Sequence, residues 1–479
     1  MKSTRNSSDD NALKKMKSLT RFSGPILAEL LLSFAVNMLL FSLLGKIADA
    51  ASGAVGVVNS LFWLFQTMFL GLSQAGSILI ARVTGNGLEN DAARLRGALL
   101  GLFFVIATVM ITVFSYGRHF FITTVLGLQG DSALYAIDYC RIAQWSLALT
   151  AIGQYFTSIF RSAGNSLLPL LAALCNHSVC FICLWLMPAE ILGLQFSSIE
   201  RVAVSQFSGN LTAIIIAAGF FIYLLKLPLR FPGDYTGLLI EAKPIIGLAA
   251  MVVLEPFAYA LSQLFIGRMF ADLGAVALAA RAYSGTLSAV PSLPGIALGW
   301  GAQVQVSFLI GAGKREEARK MVLRSSLITF LVGPTASTMV YMLSPGLLSL
   351  FTADQEVISA ARSMLAVYIL LEAGRGLNTT LAPSLKARGE AKFVARIAFF
   401  IMLFICVPLA WVLAFHFGLG AIGLALALAF DELLRGLINL WRWASSDKNQ
   451  NGPECSCTTL SQNCNNSGKS LPKAGSLAK

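Results

Sequence analysis

The stretch GAGKREEAR, Gly311–Arg319, has a near copy in the first half of the chain, GNGLENDAAR at Gly85–Arg94. Each copy opens with Gly-x-Gly and carries an Ala five residues after its second glycine. Two other landmarks repeat in the same order. Gly45-Lys46 corresponds to Gly267-Arg268, and FRSAGN (Phe160–Asn165) to LKARGE (Leu385–Glu390). The separations are 40 and then 76 residues in the first half, 44 and then 75 in the second. One short insertion near MFAD accounts for the difference. Three landmarks in one order at nearly constant spacing mark an internal duplication.

What lies between the landmarks is apolar. Of 479 residues 56% are hydrophobic and 13% charged, with mean hydropathy +0.71. So few charges cannot cover a soluble protein of this size. Twelve hydrophobic stretches, at 22–44, 54–81, 96–117, 134–158, 166–188, 202–225, 239–266, 277–309, 322–344, 358–384, 394–416 and 419–441, are long enough to cross a bilayer. Backbone groups in lipid must be paired internally, which such runs achieve only as helices. The expected fold is an all-α membrane protein of 12 spans in two parallel-repeat six-helix lobes. Six spans per repeat is an even number, so both halves enter the membrane the same way, related by an axis along the membrane normal. The expected boundaries are an N-terminal tail at 1–21, an N-lobe at 22–230, a C-lobe at 231–444 and a disordered polar tail at 445–479.

Lys and Arg distribute 27 to 4 between the segments on the N-terminal side and those on the other, with 5 inside spans. By the positive-inside rule both ends are cytoplasmic, and the net charge of +12 is a topology signature rather than a nucleic-acid-binding one. Residues 1–21 are polar and lack the pattern of a cleavable signal peptide. The expected location is the cell (inner) membrane, multi-pass, with a monomeric chain in contact with lipid. Cys455, Cys457 and Cys464 lie in the polar tail, where a metal would lack a fourth ligand and a reducing cytoplasm opposes disulfides. In CNHSVCFIC, His177, Cys180 and Cys183 recur at i,i+3; small side chains packing helices explain this better than a metal. The Gly-x-Gly turns are not phosphate loops: GAGKRE lacks G-x-x-x-x-G-K-[ST] and follows a membrane helix. Three histidines, His119, His177 and His416, stand alone in their segments, so no nucleophile–base constellation for a membrane enzyme is evident. No cofactor is expected.

One carboxylate interrupts AAMVVLEPFAYAL (Ala249–Leu261). Glu255 lies about 17 Å from Pro244 and about as far from Gly267 at about 1.5 Å per residue, which is mid-bilayer. A charge there costs on the order of 2.5–3.5 kcal/mol on insertion scales, so it should face protein or a watery cavity, where protons and nearby cations control its charge. The alternative is a protonated Glu hydrogen-bonded to a neighbouring helix.

Several stretches carry a family resemblance. PSLPGIALGWGAQVQVSFLIGAGKREEARK, LLSLFTADQEVISAARSMLAVYIL, LKARGEAKF and VPLAWVLAFHFGLGAIGLALALAFDELLRGLI are similar to segments of the MATE (multidrug and toxic-compound extrusion) transporters, and the resemblance covers roughly residues 20–443. It implies two lobes in a V around a cavity, and export of small cationic amphiphiles in exchange for H⁺ or Na⁺. It also matches Glu255 to the family's span-7 acid. Other family positions depart. The span-1 Asp, 15 residues after a Pro, falls on Leu40, leaving Asn37 and Glu29 as the polar candidates there. The span-10 acid falls on Arg375, with Glu372 three residues earlier at pairing distance. The span-5 Asn and Asp fall on Cys180 and Leu184. Coupling, if kept, is then expected in the C-lobe.

Further intramembrane candidates are Asp431, Glu432 and Arg435, spaced for a structural or coupling ion pair. Asp138 and Arg141 are expected as an interfacial pair, and Arg281 as a snorkelling side chain. Pro291 and Pro294 should break or kink span 8. Trp63, Phe65, Phe257, Tyr259 and Tyr283 are candidates to line a cavity for cations by their π-faces. Outside efflux, the alternative function is a flippase for a lipid-linked intermediate, as in other branches of the wider superfamily, which would want a strongly cationic cavity.

Overall fold

The computed structural model describes residues 18–45, 49–125, 130–186, 190–191, 194–195, 198–231 and 235–445. Residues 1–17 and 446–479, with Cys455, Cys457 and Cys464, lie outside the described residues. Twelve long helices are found among those described. The first six are α1 (Leu19–Gly45), α2 (Asp49–Gly85), α3 (Glu89–His119), α4 (Gly130–Ser162), α5 (Leu167–Leu186) and α6 (Ser198–Gly219). A two-residue antiparallel pair, β1 (Glu190–Ile191) and β2 (Leu194–Gln195), stands between α5 and α6. The second six are α7 (Tyr235–Asp272), α8 (Ala275–Gly311), α9 (Arg315–Ser349), α10 (Gln355–Arg388), α11 (Ala391–His416) and α12 (Gly420–Ser445). Ten of the helices are long and apolar enough to cross a membrane. The other two, α4 and α12, hold polar or charged residues along their middle; α12 turns Asp431, Glu432 and Arg435 into the protein, where all three are buried. The chain is a multi-pass helical membrane protein.

The two halves pack alike. In the N-lobe α4 lies against α2, α3 and α6; in the C-lobe α10 lies against α8, α9 and α12. The first helix of each half crosses to the other half: α1 packs on α8 as well as α5, and α7 on α2 as well as α11. Each lobe has its own apolar core, one around Phe69, Phe103 and Tyr155, the other around Phe270, Met364 and Leu424.

The glycine turns that mark the repeat also join the lobes. Gly87 and Gly313 adopt φ of +75° and +76°, which turns the chain sharply out of α2 and α8. The first glycine of each motif serves the crossing of α2 and α8. A Cβ on Gly85 would stand 2.3 Å from the Phe308 carbonyl oxygen, and one on Gly311 would stand 2.1 Å from that of Arg82. Phe308 and Arg82 each lie three residues before the opposite glycine, so the contact is reciprocal. The lobes therefore touch backbone to backbone at the ends that carry the basic residues.

Two expectations need correction. Of the break or kink expected at Pro291 and Pro294, the break does not occur: α8 continues through both to Gly311. The Ser292 hydroxyl donates to the Ala289 carbonyl (2.8 Å), which pairs a carbonyl of the proline-containing turn, and Pro291 is buried. Asp138 is not the partner of Arg141. That guanidinium reaches Glu200 at the start of α6 instead, because α4 and α6 pack side by side there.

Candidate functional site

Three helices of the C-lobe converge their charges. A Cβ on Gly374 of α10 would stand 2.4 Å from the Leu433 backbone nitrogen, so α10 and α12 meet there at backbone distance. Side chains flanking this contact must face one another, and they alternate in sign. Arg375 donates from Nη1 to Glu372 Oε1, one turn away on α10, at 2.6 Å. Its Nε lies 3.7 Å from Glu432 Oε1 on α12. Arg435 holds both oxygens of Asp431, at 3.0 and 2.7 Å, and approaches Glu432 Oε2 at 3.1 Å. Its remaining Nη1 points to Glu255 Oε1 of α7 at 3.8 Å, and Glu255 Oε2 accepts from Lys386 Nζ at 2.5 Å. Two amides extend the network: Asn378 donates to Glu432 (3.1 Å) and Asn439 to Asn378 (2.9 Å).

The result is a ladder of acids and bases from Glu372 to Lys386, about 21 Å along α10 at about 1.5 Å per residue. It holds four carboxylates and three cations, so one negative charge is in excess when all are ionised. Asp431, Glu372, Lys386 and Arg435 are buried. Charges withdrawn from water are tolerable only when paired and hydrogen-bonded, and that requirement makes the ladder one unit. The Glu255 and Arg375 side chains keep 16% and 22% of their surface accessible, which makes them the two rungs that open to space.

Two cavities adjoin these rungs, and a third among the described residues lies in the N-lobe. One of about 490 Å³ lies between the lobes, bounded by Trp63, Gln66 and Gln154 on one side and Glu255, Tyr259 and Arg435 on the other. A second, of about 510 Å³, lies in the C-lobe against Tyr259, Arg281, Arg375, Asp431 and Glu432. The third, of about 300 Å³, belongs to the N-lobe and is lined by uncharged polar groups, among them Asn37, Asn59, Tyr139, Asn176, His177 and Gln206.

The structure brings together Glu255, Glu372, Arg375, Asp431, Glu432 and Arg435, with Tyr259 beside them. It sets other candidates apart. Glu29 is paired with Arg161 at 2.9 Å, and Asn37 lines the N-lobe cavity. Tyr283 stacks on Phe351 with ring centroids 5.3 Å apart, and Phe65 packs edge-on against Phe114 at 5.1 Å. Arg281 does not snorkel outward but turns to Gln263 inside the lobe. His177 meets Ser33 (3.3 Å), and Cys180 the Ser205 hydroxyl (3.7 Å).

Glu255 lines the cavity between the lobes, as its depth in the span requires, and it does so ion-paired with Lys386. Its partner Lys386 follows the tenth apolar stretch, where a lysine ordinarily reaches the membrane surface, yet it is 5% exposed. One feature of the sequence marks Lys386: in the repeat it stands opposite Arg161, and both cations pair with a Glu on the first helix of their own half. Asn378 and Asn439, which tie α10 to α12, carry no such mark.

The comparisons with known proteins agree with this architecture. The MatE family model matches residues 25–187 and 248–412, one stretch in each half. The uncharacterized transporter YisQ of Bacillus subtilis is 23% identical over 90% of this chain and 94% of its own length. The probable multidrug resistance protein NorM of Thermotoga maritima is 20% identical over 88% of this chain and 91% of its own. Among solved structures, the Vibrio cholerae MATE transporter VcmN in the bent form superposes with a TM-score of 0.79, at 18% identity, over 91% of this chain and 97% of that one. With a family match in both halves, a shared two-lobe fold and relatives aligned over nearly their whole length, the chain belongs to the MatE family of membrane transporters.

Proposed function

We propose that this protein is a secondary active exporter of cationic amphiphilic compounds, driven by inward H⁺ or Na⁺, with the C-lobe ladder as the place where driving ion and substrate compete. One observation carries the reading: a buried ladder with one carboxylate in excess borders the cavity between the lobes through Glu255, Glu432 and Arg435. An excess negative charge at low dielectric attracts a cation, and a proton or Na⁺ that neutralises it removes the attraction. Two ligands that share one charge lower each other's affinity reciprocally, which is what coupled exchange requires. Relatives named as multidrug resistance proteins support export as the direction, and the positive-inside distribution supports cytoplasmic termini. The chemistry called for is binding and release, with no bond made or broken.

The test is uptake of a fluorescent organic cation into inverted vesicles, with a proton gradient and a Na⁺ gradient imposed separately. Glu255→Gln alone leaves Lys386 buried without its partner, so the informative variant is Glu255→Gln combined with Lys386→Met. It keeps the ladder's net charge but removes the carboxylate that opens to the cavity between the lobes, so it should insert normally and lose most of the response to the driving gradient. Gradient-responsive uptake at the unaltered rate would remove Glu255 from the coupling role.

A further inference from the structure

The C-lobe cavity is charged unequally across its width. One wall carries Asp431 and Glu432, part of the ladder with a carboxylate to spare. The other carries Arg281 of α8, whose Nη2 donates to the Gln263 side-chain oxygen at 3.0 Å and to the Gln263 carbonyl at 3.3 Å. Its guanidinium carbon lies 5.1 Å from the centre of the Phe270 ring. These acceptors are neutral. Among the described residues no carboxylate lies within 4.0 Å of Arg281, whereas Arg375 and Arg435 in the same lobe are both ion-paired.

The guanidinium is nonetheless firmly seated. A Cβ on Gly267 would stand 2.6 Å from Nη1, so the glycine that follows the apolar part of α7 leaves the room that Arg281 fills. Gln263, Gly267 and Phe270 follow one another at helical spacing on one face of α7 and form the seat. Five N–H donors face two acceptors here, so the charge is positioned and only partly satisfied. The Tyr259 side chain, 37% exposed, lines the same cavity and adds a hydroxyl. A planar guanidinium held this way matches a carboxylate by paired hydrogen bonds.

We infer that Arg281 forms an anion-binding subsite of the C-lobe cavity, taking the carboxylate of a zwitterionic amphiphile whose cationic end lies toward Asp431 and Glu432. The inference rests on the ladder being a substrate site, as proposed above, extends that site into the C-lobe cavity, which Glu432 also lines, and narrows the substrate class. It separates two molecules of equal shape: a zwitterion satisfies both walls, whereas its ester leaves Arg281 without a counter-charge.

Rhodamine B, a zwitterion at neutral pH, and its ethyl ester, the matching cation, provide the test. Affinity of both dyes for the purified full-length chain is read by fluorescence anisotropy, and the readout is the ratio of the two dissociation constants. Arg281→Gln should shift that ratio against rhodamine B by about tenfold, the usual worth of a charge-assisted hydrogen bond. Gln263→Glu keeps Arg281 and places a carboxylate of the chain on it, so the same shift is expected should Arg281→Gln fail to fold. An unmoved ratio in the folded variants, or an unaltered chain that binds the ester in preference, overturns the subsite. Absence of ester uptake by inverted vesicles counts against export instead, while the binding ratio still decides the subsite.

Discussion

The two lobes share one frame and differ in what they put inside it. Counted back from the matched cations Arg161 and Lys386, the places of Glu372 and Arg375 in the C-lobe are those of Leu147 and Thr150 in the N-lobe. Counted back from Gly45 and Gly267, the place of Glu255 is that of Ser33. The N-lobe interior is held by neutral hydrogen bonds. Tyr139 donates to Asn59 or Gln206 (3.1 and 3.0 Å), Asn176 to Asn210 (2.8 Å), and Asn210 to Ser146 (2.7 Å). The C-lobe places full charges on the corresponding faces. Each lobe keeps one ion pair between its first and fourth helices, Glu29–Arg161 or Glu255–Lys386, and the C-lobe alone builds a ladder upon it. A duplicated fold thus conserves the pin that anchors its crossing helix and leaves the remaining polar positions free to specialise.

The largest difference between the lobes should appear when the ladder loses its central cation. Arg435→Met leaves Asp431, Glu432 and Glu255 without their shared partner, and unpaired buried charge costs about 3–5 kcal/mol. Thermal unfolding in detergent should show a large fall in midpoint, or folded protein should not be recovered. A fall no greater than that of an N-lobe hydroxyl deletion would mean that the ladder is not one unit.

The shared pins give a second, smaller contrast. Arg161→Met strands Glu29, and Lys386→Met leaves Glu255 only the longer approach of Arg435, both beside partly accessible space, and each should cost about 1–3 kcal/mol. Only Lys386→Met should alter the response of transport to an imposed gradient, measured by dye uptake into inverted vesicles. Equal transport effects would place coupling in both lobes.

Smaller again is Tyr139→Phe, which removes one donor from the neutral N-lobe network. The expected loss is about 0.5–1.5 kcal/mol, with gradient response retained. A loss of coupling here would move the functional centre to the N-lobe. The smallest effect is expected from truncation after Ser445. The removed residues are polar and follow the last span, so uptake and unfolding midpoint should stay within measurement error.

Much of the candidate site was legible as residues and little of it as pairs. Glu255 stood out because a carboxylate in an apolar run has no local reason to be there, and the Asp431–Glu432–Arg435 pairing follows from helical spacing on one element. Lys386 does not stand out in the sequence, because a lysine near a helix end normally reaches water. The inward turn of Arg281 is hidden for the same reason, and the ring contacts of Tyr283 and Phe65 because an aromatic's ring partner lies far away in the sequence.

The sequence by itself determined the twelve helices, their grouping into two halves, the glycine turns and the acids inside the apolar spans. These are properties of local chemistry: apolar length, helical hydrogen bonding in lipid, positive φ at a turn, and the cost of an isolated charge. Tertiary structure decided which charges meet. Glu255 and Lys386 lie 131 residues apart, and they pair because α10 packs along α12 through the backbone contact at Gly374, while the Glu255 side chain of α7 reaches Lys386 and Arg435 across the space between. The reciprocal fit of Gly85 and Gly311 across the lobes is of the same kind. Sequence spacing specifies direction around one helix, whereas distance between helices is set only when their surfaces close-pack.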